Sequence, residues 1–272
     1  MTTIPVGGHL VGEAGPRRRD VLHAEWTKLR TVHSTWWALL TVLCGTIGVG
    51  LLICAAVAAR WDHMSATDRA NFDPTFRSLT GLFIGQLAIG VVGALAVTAE
   101  YSTGMIRSTF AAVPRRGRVL AAKALALVTP ALVVSTVGCV VAFLGGQAIL
   151  ATKGAGVSLG APGELRAVLG GGVFLALLAL FALGLGAVFR HTAAAISAFV
   201  GLVLVLPVIV SPLPSPWGRD VAPYLPSLAG QAISNVRTHT GLLPPWSGLA
   251  VLIVWAAGAL GAAAWLTTRR DA

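Results

Sequence analysis

The chain has 272 residues, of which 56% are hydrophobic and only 11% charged, against about 25% charged in soluble domains. So few charges cannot cover a water-facing surface, which excludes an ordinary soluble enzyme or binding domain. The net charge of +10 does not mark a nucleic-acid binder either, because the basic residues are parcelled out between long apolar runs.

Residues 1–20 contain Arg17, Arg18 and Arg19 but no short apolar core with a cleavage site, so they read as a flexible cytoplasmic tail and not as a cleaved leader. Residues 21–35 follow as an amphipathic interfacial helix. At about 100° per residue, Leu22, Trp26 and Leu29 gather on one side and Lys28 and Arg30 on the other, a pattern that sinks one face into the headgroup boundary and offers the other to anionic lipid. A plain basic tail that only sets topology is the simpler alternative.

Six apolar runs then have the length needed to cross a hydrocarbon core of roughly 30 Å. The spans are placed at 36–59, 79–99, 119–150, 167–189, 192–211 and 247–267, giving an all-α transmembrane domain over 36–268. Lysines and arginines number thirteen in one set of alternate loops and seven in the other. The positive-inside rule assigns the richer set, and both termini, to the cytoplasm. The second span carries Gln86, whose polar side chain either bonds to a neighbouring helix or lines a substrate path. Gly81 with Gly85, and Gly184 with Gly186, let helices approach closely.

Between the second and third spans lies the stretch from Glu100 to Arg118. Ser102 or Thr103 is placed to cap a short helix, with Glu100 near its N-terminus where an anion suits the dipole. Met105, Ile106, Phe110 and Val113 share one face, Thr103, Gly104 and Arg107 lie on the other, and Pro114 stops the helix before Arg115 and Arg116. The third run is too long for one straight crossing, so Lys123 is expected to emerge and snorkel to the headgroups.

Glu100, Gly104 with Met105, Pro114 with Arg115 and Arg116, and then Lys123 form a pattern that resembles the first cytoplasmic loop of type-2 ABC transporter permeases. Met105 stands where threonine is usual there, and Ala122 where glycine is common. The resemblance covers nearly the whole chain, since that family also has an amphipathic first helix and six spans. It implies that the short helix is a coupling helix seated in a separate ATP-binding-cassette ATPase subunit, with a permease homodimer enclosing the substrate path. It also implies that ATP and magnesium are bound by that partner and that no cofactor is held in this chain.

Pro130 and Pro207 fall within the third and fifth spans, where each removes a backbone hydrogen bond. The loop over 212–246 is rich in proline and tryptophan and holds a short helix at 226–236. In the family the resemblance points to, this loop folds part-way back into the membrane; Pro212, Pro214 and Pro216 equally fit a surface loop.

What the chain lacks is informative. No Asp, Glu, Lys, Arg or His lies deep in a span, which counts against an ion-coupled transporter. No GxxxxGK[ST] loop, no HExxH and no metal-ligand spacing occurs. Cys44, Cys54 and Cys139 all lie in apolar runs and read as small apolar residues. The resemblance implies a non-enzymatic permease subunit of a cytoplasmic-membrane exporter, and Arg outnumbering Lys 17 to 3 in an Ala- and Gly-rich chain fits a bacterial source. Its substrate would be a small molecule, lipid or peptide of hydrophobic or amphipathic character. A stand-alone carrier or channel, or a non-transporting anchor or regulatory subunit, is the alternative.

Overall fold

The computed structural model describes residues 23–28, 33–112, 116–237 and 241–269. Among them there is no strand, and six helices are long and apolar enough to cross a membrane. The chain is an all-α, six-span membrane protein. Its N-terminal helix α1 covers 23–28. The first span, α2 (His33–Arg60), leads through the short helices α3 (Ala66–Ala70) and α4 (Pro74–Ser78) into the second, α5 (Leu82–Ser102). After α6 (Met105–Ala112) come the spans α7 (Arg116–Ala151) and α8 (Glu164–Phe189). The fifth span is composite, α9 (Thr192–Val200) and α10 (Leu206–Val210) joined by the π-helical stretch Gly201–Val205. A short α11 (Pro226–Gln231) precedes the last span, α12 (Pro245–Arg269).

The spans begin where local chemistry starts them. The second opens at Leu82, later than hydropathy alone placed it, because Leu79 belongs to the end of α4. That helix has Asp73 as its cap, accepting from the Phe76 amide at 2.9 Å, and Pro74 in its first turn. Pro245 likewise starts α12 before Ser247. Pro130 lies inside a continuous α7 of 36 residues, about 54 Å at 1.5 Å per residue, so this helix extends beyond the hydrocarbon core. At Pro207 the chain responds differently: the π-helical stretch immediately before it takes up the hydrogen-bond register that the missing N–H interrupts.

Helix α8 is the most buried of the six spans and α12 the least. It packs against α5, α7, α9 and α12, and Phe181 draws three of these helices together, its ring 6.1 Å from Phe199 and 5.9 Å from Trp255. Lipid is as apolar as these side chains, so the bundle is held by close fit more than by escape from water. Gly81 shows how close: a Cβ there would lie 1.9 Å from the Thr46 carbonyl oxygen of α2. Gly184 is pressed the same way on α12, where the nearest atom, the Ala259 Cβ, would be 2.7 Å away. These glycines serve packing within one chain.

The segment over α11 and the 3-10 turn Ala232–Ser234 is folded inward. Arg166 donates to the carbonyls of Ile233 and Asn235 at 2.7 and 3.0 Å. Gly230 is set against Phe174 and Leu252, and Ile233 against Gly170. Gly170 and Phe174 lie roughly 9 and 15 Å along α8 from its first residue. At the same end, the Ser78 hydroxyl of α4 receives the Gln147 amide at 2.9 Å and approaches the Cys54 thiol at 3.6 Å, and Thr75 donates to the buried Glu164 carboxylate.

Candidate functional site

The other end of the bundle carries the residues that the sequence singled out. There α5 stops because Ser102 and Thr103 turn their hydroxyls back onto the Ala99 carbonyl, both at 2.9 Å. This corrects their expected role as caps of the short helix. Gly104 then takes φ +72, a left-handed conformation that costs glycine little and other residues about 1 kcal/mol or more. That turn redirects the chain into α6, which packs on α5 and α7.

Glu100 consequently lies in the last turn of α5 and not at the start of α6, another departure from expectation. A carboxylate there faces the negative end of the helix dipole, and two lysines offset it. Lys123 Nζ is 2.5 Å from Glu100 Oε1 and 2.8 Å from Glu25 Oε2; Lys28 Nζ is 3.0 Å from Glu25 Oε1 and 3.2 Å from Glu100 Oε1. Glu25, Glu100 and Lys123 are all buried. Lys123 therefore does not snorkel: two carboxylates already lie within reach, and pairing with them satisfies its charge without leaving the protein. Nor is Lys28 given over to lipid. Burial works against its ammonium charge, but hydrogen bonds and charge from Glu25 and Glu100 outweigh that, and its pKa is raised above the ordinary lysine value.

Four charges from three separate chain segments thus form one closed network. It joins α1 to the end of α5 and the beginning of α7, the two helices that α6 connects. Such a network adds little net stability, because desolvation cancels most of the attraction, but it fixes geometry: removing one member strands the others. Beside it, Ile106 of α6 is buried and shares a small void with Tyr101, Val119, Lys123 and Thr267. Thr267 places the end of α12 at the same end of the bundle as α1. Met105 is 47% exposed, so the apolar face of α6 is divided, Ile106 inward and Met105 outward. The α8–α9 turn closes the area, with the Arg190 guanidinium 5.4 Å from the Tyr101 ring and Thr192 donating to Thr98 at 3.0 Å.

This arrangement of six spans with a short helix hung between the second and third coincides with a family match covering most of the chain. The model of the ABC-2 family transporter proteins matches residues 21–208. The chain belongs to this family. It is a type-2 ABC transporter permease, a membrane transport component that is not itself catalytic. No curated protein and no solved structure gives a match.

The match begins at the N-terminal helix and ends in the fifth span, so the permease's ion-pair network and α6 both lie inside it. Of the residues singled out in the sequence, Glu100, Thr103, Gly104, Met105, Ile106 and Lys28 are gathered here, while Trp26 is exposed on α1. Arg107, Phe110 and Arg116 fall on helices, but their side chains lie outside the described residues, as do Leu22, Leu29, Arg30, Pro114 and Arg115. Gln86 is buried on α5 and accepts from Gln231 at 3.4 Å, far along the span. Glu25 was missed. Its only sequence signal was an acid three residues before Lys28 in an otherwise basic stretch. Among the described residues no group of three or more His, Cys, Asp or Glu could hold a metal ion.

Proposed function

We propose that this permease exports a hydrophobic or amphipathic substrate across the cytoplasmic membrane of a bacterium, driven by a separate ATPase subunit that binds ATP and magnesium. Both termini and α6 face the cytoplasm, and the ATPase takes α6 into a cleft through Met105 and the basic residues of the 100–118 loop. Two copies of the permease enclose the substrate path. The observation that carries this reading is the ion-pair network of Glu25, Lys28, Glu100 and Lys123, which ties α1 to the end of α5 and the beginning of α7, the two helices that α6 connects. A push on α6 is then transmitted to two spans without being lost in the loop. The inward fold of α11 supports the assignment of the opposite end as the exit, since irregular backbone at depth is tolerated only where protein or a cavity covers it.

The test combines Glu100→Gln with Gly104→Ala. Tagged permease purified from its own membrane in mild detergent should co-purify with an ATP-hydrolysing subunit, and the double variant should lose most of that hydrolysis while still forming the six-span protein. Full retention of both co-purification and hydrolysis overturns the coupling assignment.

A further inference from the structure

At the end of the bundle opposite the ion-pair network, a cavity of about 730 Å³ opens between α3, α4 and the α11 segment. Its size falls in the range of small-molecule sites, roughly 300–1,000 Å³. One part of the wall is apolar, with Phe72, Phe76, Leu228 and Leu242. Another part carries Asp68 and Asp73. Each of these carboxylates spends one oxygen locally, Asp68 Oδ2 on the Ser65 hydroxyl and Asp73 Oδ1 on the Phe76 amide. Among the described residues, Asp68 Oδ1 and Asp73 Oδ2 have no hydrogen-bond partner. Among the described residues of the wall the one guanidinium is Arg77, 6.0 Å from the centre of the Phe76 ring. Gln231 also lines the cavity and donates to Gln86, so the second span stands directly behind the wall.

We infer that this cavity binds a lipophilic cation. Apolar bulk is taken by the phenylalanines and leucines, and the positive centre by the half-buried Asp73 with Asp68 exposed at the rim of the cavity. Two carboxylates against one guanidinium among the described residues of the wall disfavour an anion of the same shape. The inference deepens the transport reading by naming a substrate class, and it rests on that reading only for the word substrate; binding itself belongs to the permease alone.

The probe pair is tetraphenylphosphonium and tetraphenylborate, ions of matching shape and opposite charge. Equilibrium binding is measured on purified permease in lipid nanodiscs, with empty nanodiscs subtracted. Tetraphenylphosphonium should bind saturably at one per chain and tetraphenylborate should not displace it. Asp68→Asn with Asp73→Asn, isosteric changes that keep both cap hydrogen bonds, should weaken binding at least tenfold. Leu228→Trp, which fills the cavity, should abolish it. Absence of saturable binding, equal displacement by tetraphenylborate, or unchanged affinity in the double asparagine variant would each overturn the inference. The asparagine variant should still co-purify with the ATPase, so a failure here stands apart from a failure of the coupling assignment, which the Glu100 and Gly104 changes report.

Discussion

Replacing Lys123 by methionine would leave Glu25 and Glu100 facing one another inside the protein with only Lys28 to offset them. Breaking a buried ion pair in this way costs on the order of 3 kcal/mol, so Lys123→Met should unfold at markedly lower denaturant than wild type. Adding Glu25→Gln and Glu100→Gln should recover much of the loss, and no recovery would show that Lys123 acts by something other than charge. Lys28 gives the pH dependence. Its pKa is raised in the folded state, so its contribution is complete below the unfolded lysine value of about 10.4 and is lost as pH rises through the higher folded value. The stability difference between wild type and Lys28→Met should therefore stay level between about pH 7 and 9 and shrink above roughly pH 10.5. A difference that vanished near neutrality would contradict the pairing. These residues were half legible in the sequence. Glu100 and Lys123 were visible as charges at the edges of apolar runs, but a long-range pairing across 98 positions, as between Lys123 and Glu25, leaves no periodic trace.

Helix existence was legible because apolar length in a membrane admits few alternatives to a helix, and six helices are long and apolar enough to cross. What shifted were ends and joints decided by single residues: Asp73 and Pro74 delay α5, Gly104 separates α5 from α6, and Pro207 is absorbed by a π-helical stretch. Close packing supplies the element-scale prediction. Gly81→Ala would drive a methyl group into the Thr46 carbonyl and force α5 off α2, an overpacking of about 1–3 kcal/mol. Gly48→Ala is the matched control on α2, since a Cβ there meets nothing within 4 Å. The first variant should lower the thermal midpoint in detergent and the second should leave it unchanged or raise it slightly. Equal effects would mean that the close approach of α2 and α5 is not what holds them. The candidate cavity was not legible at all, because it needs α3, α4 and α11 brought together by Thr75 with Glu164 and by Arg166 with the Ile233 and Asn235 carbonyls.

On the scale of the whole molecule, the two ends of the bundle carry different equipment. One end has the charged network, the short helix α6, α1 and the end of α12; the other has the inward-folded α11 and an acidic, aromatic cavity. A transport component that is not itself catalytic needs an input at one end and a path to the other, and this polarity is what the coupling proposal rests on. Its most direct test is site-specific photo-crosslinking in the intact membrane from position 105, where Met105 is exposed on α6, compared with position 254, where Val254 is 69% exposed on α12. The account predicts that an ATP-binding subunit is captured from position 105 and not from position 254. Capture of no ATP-binding protein from position 105, or the same capture from both positions, would contradict it.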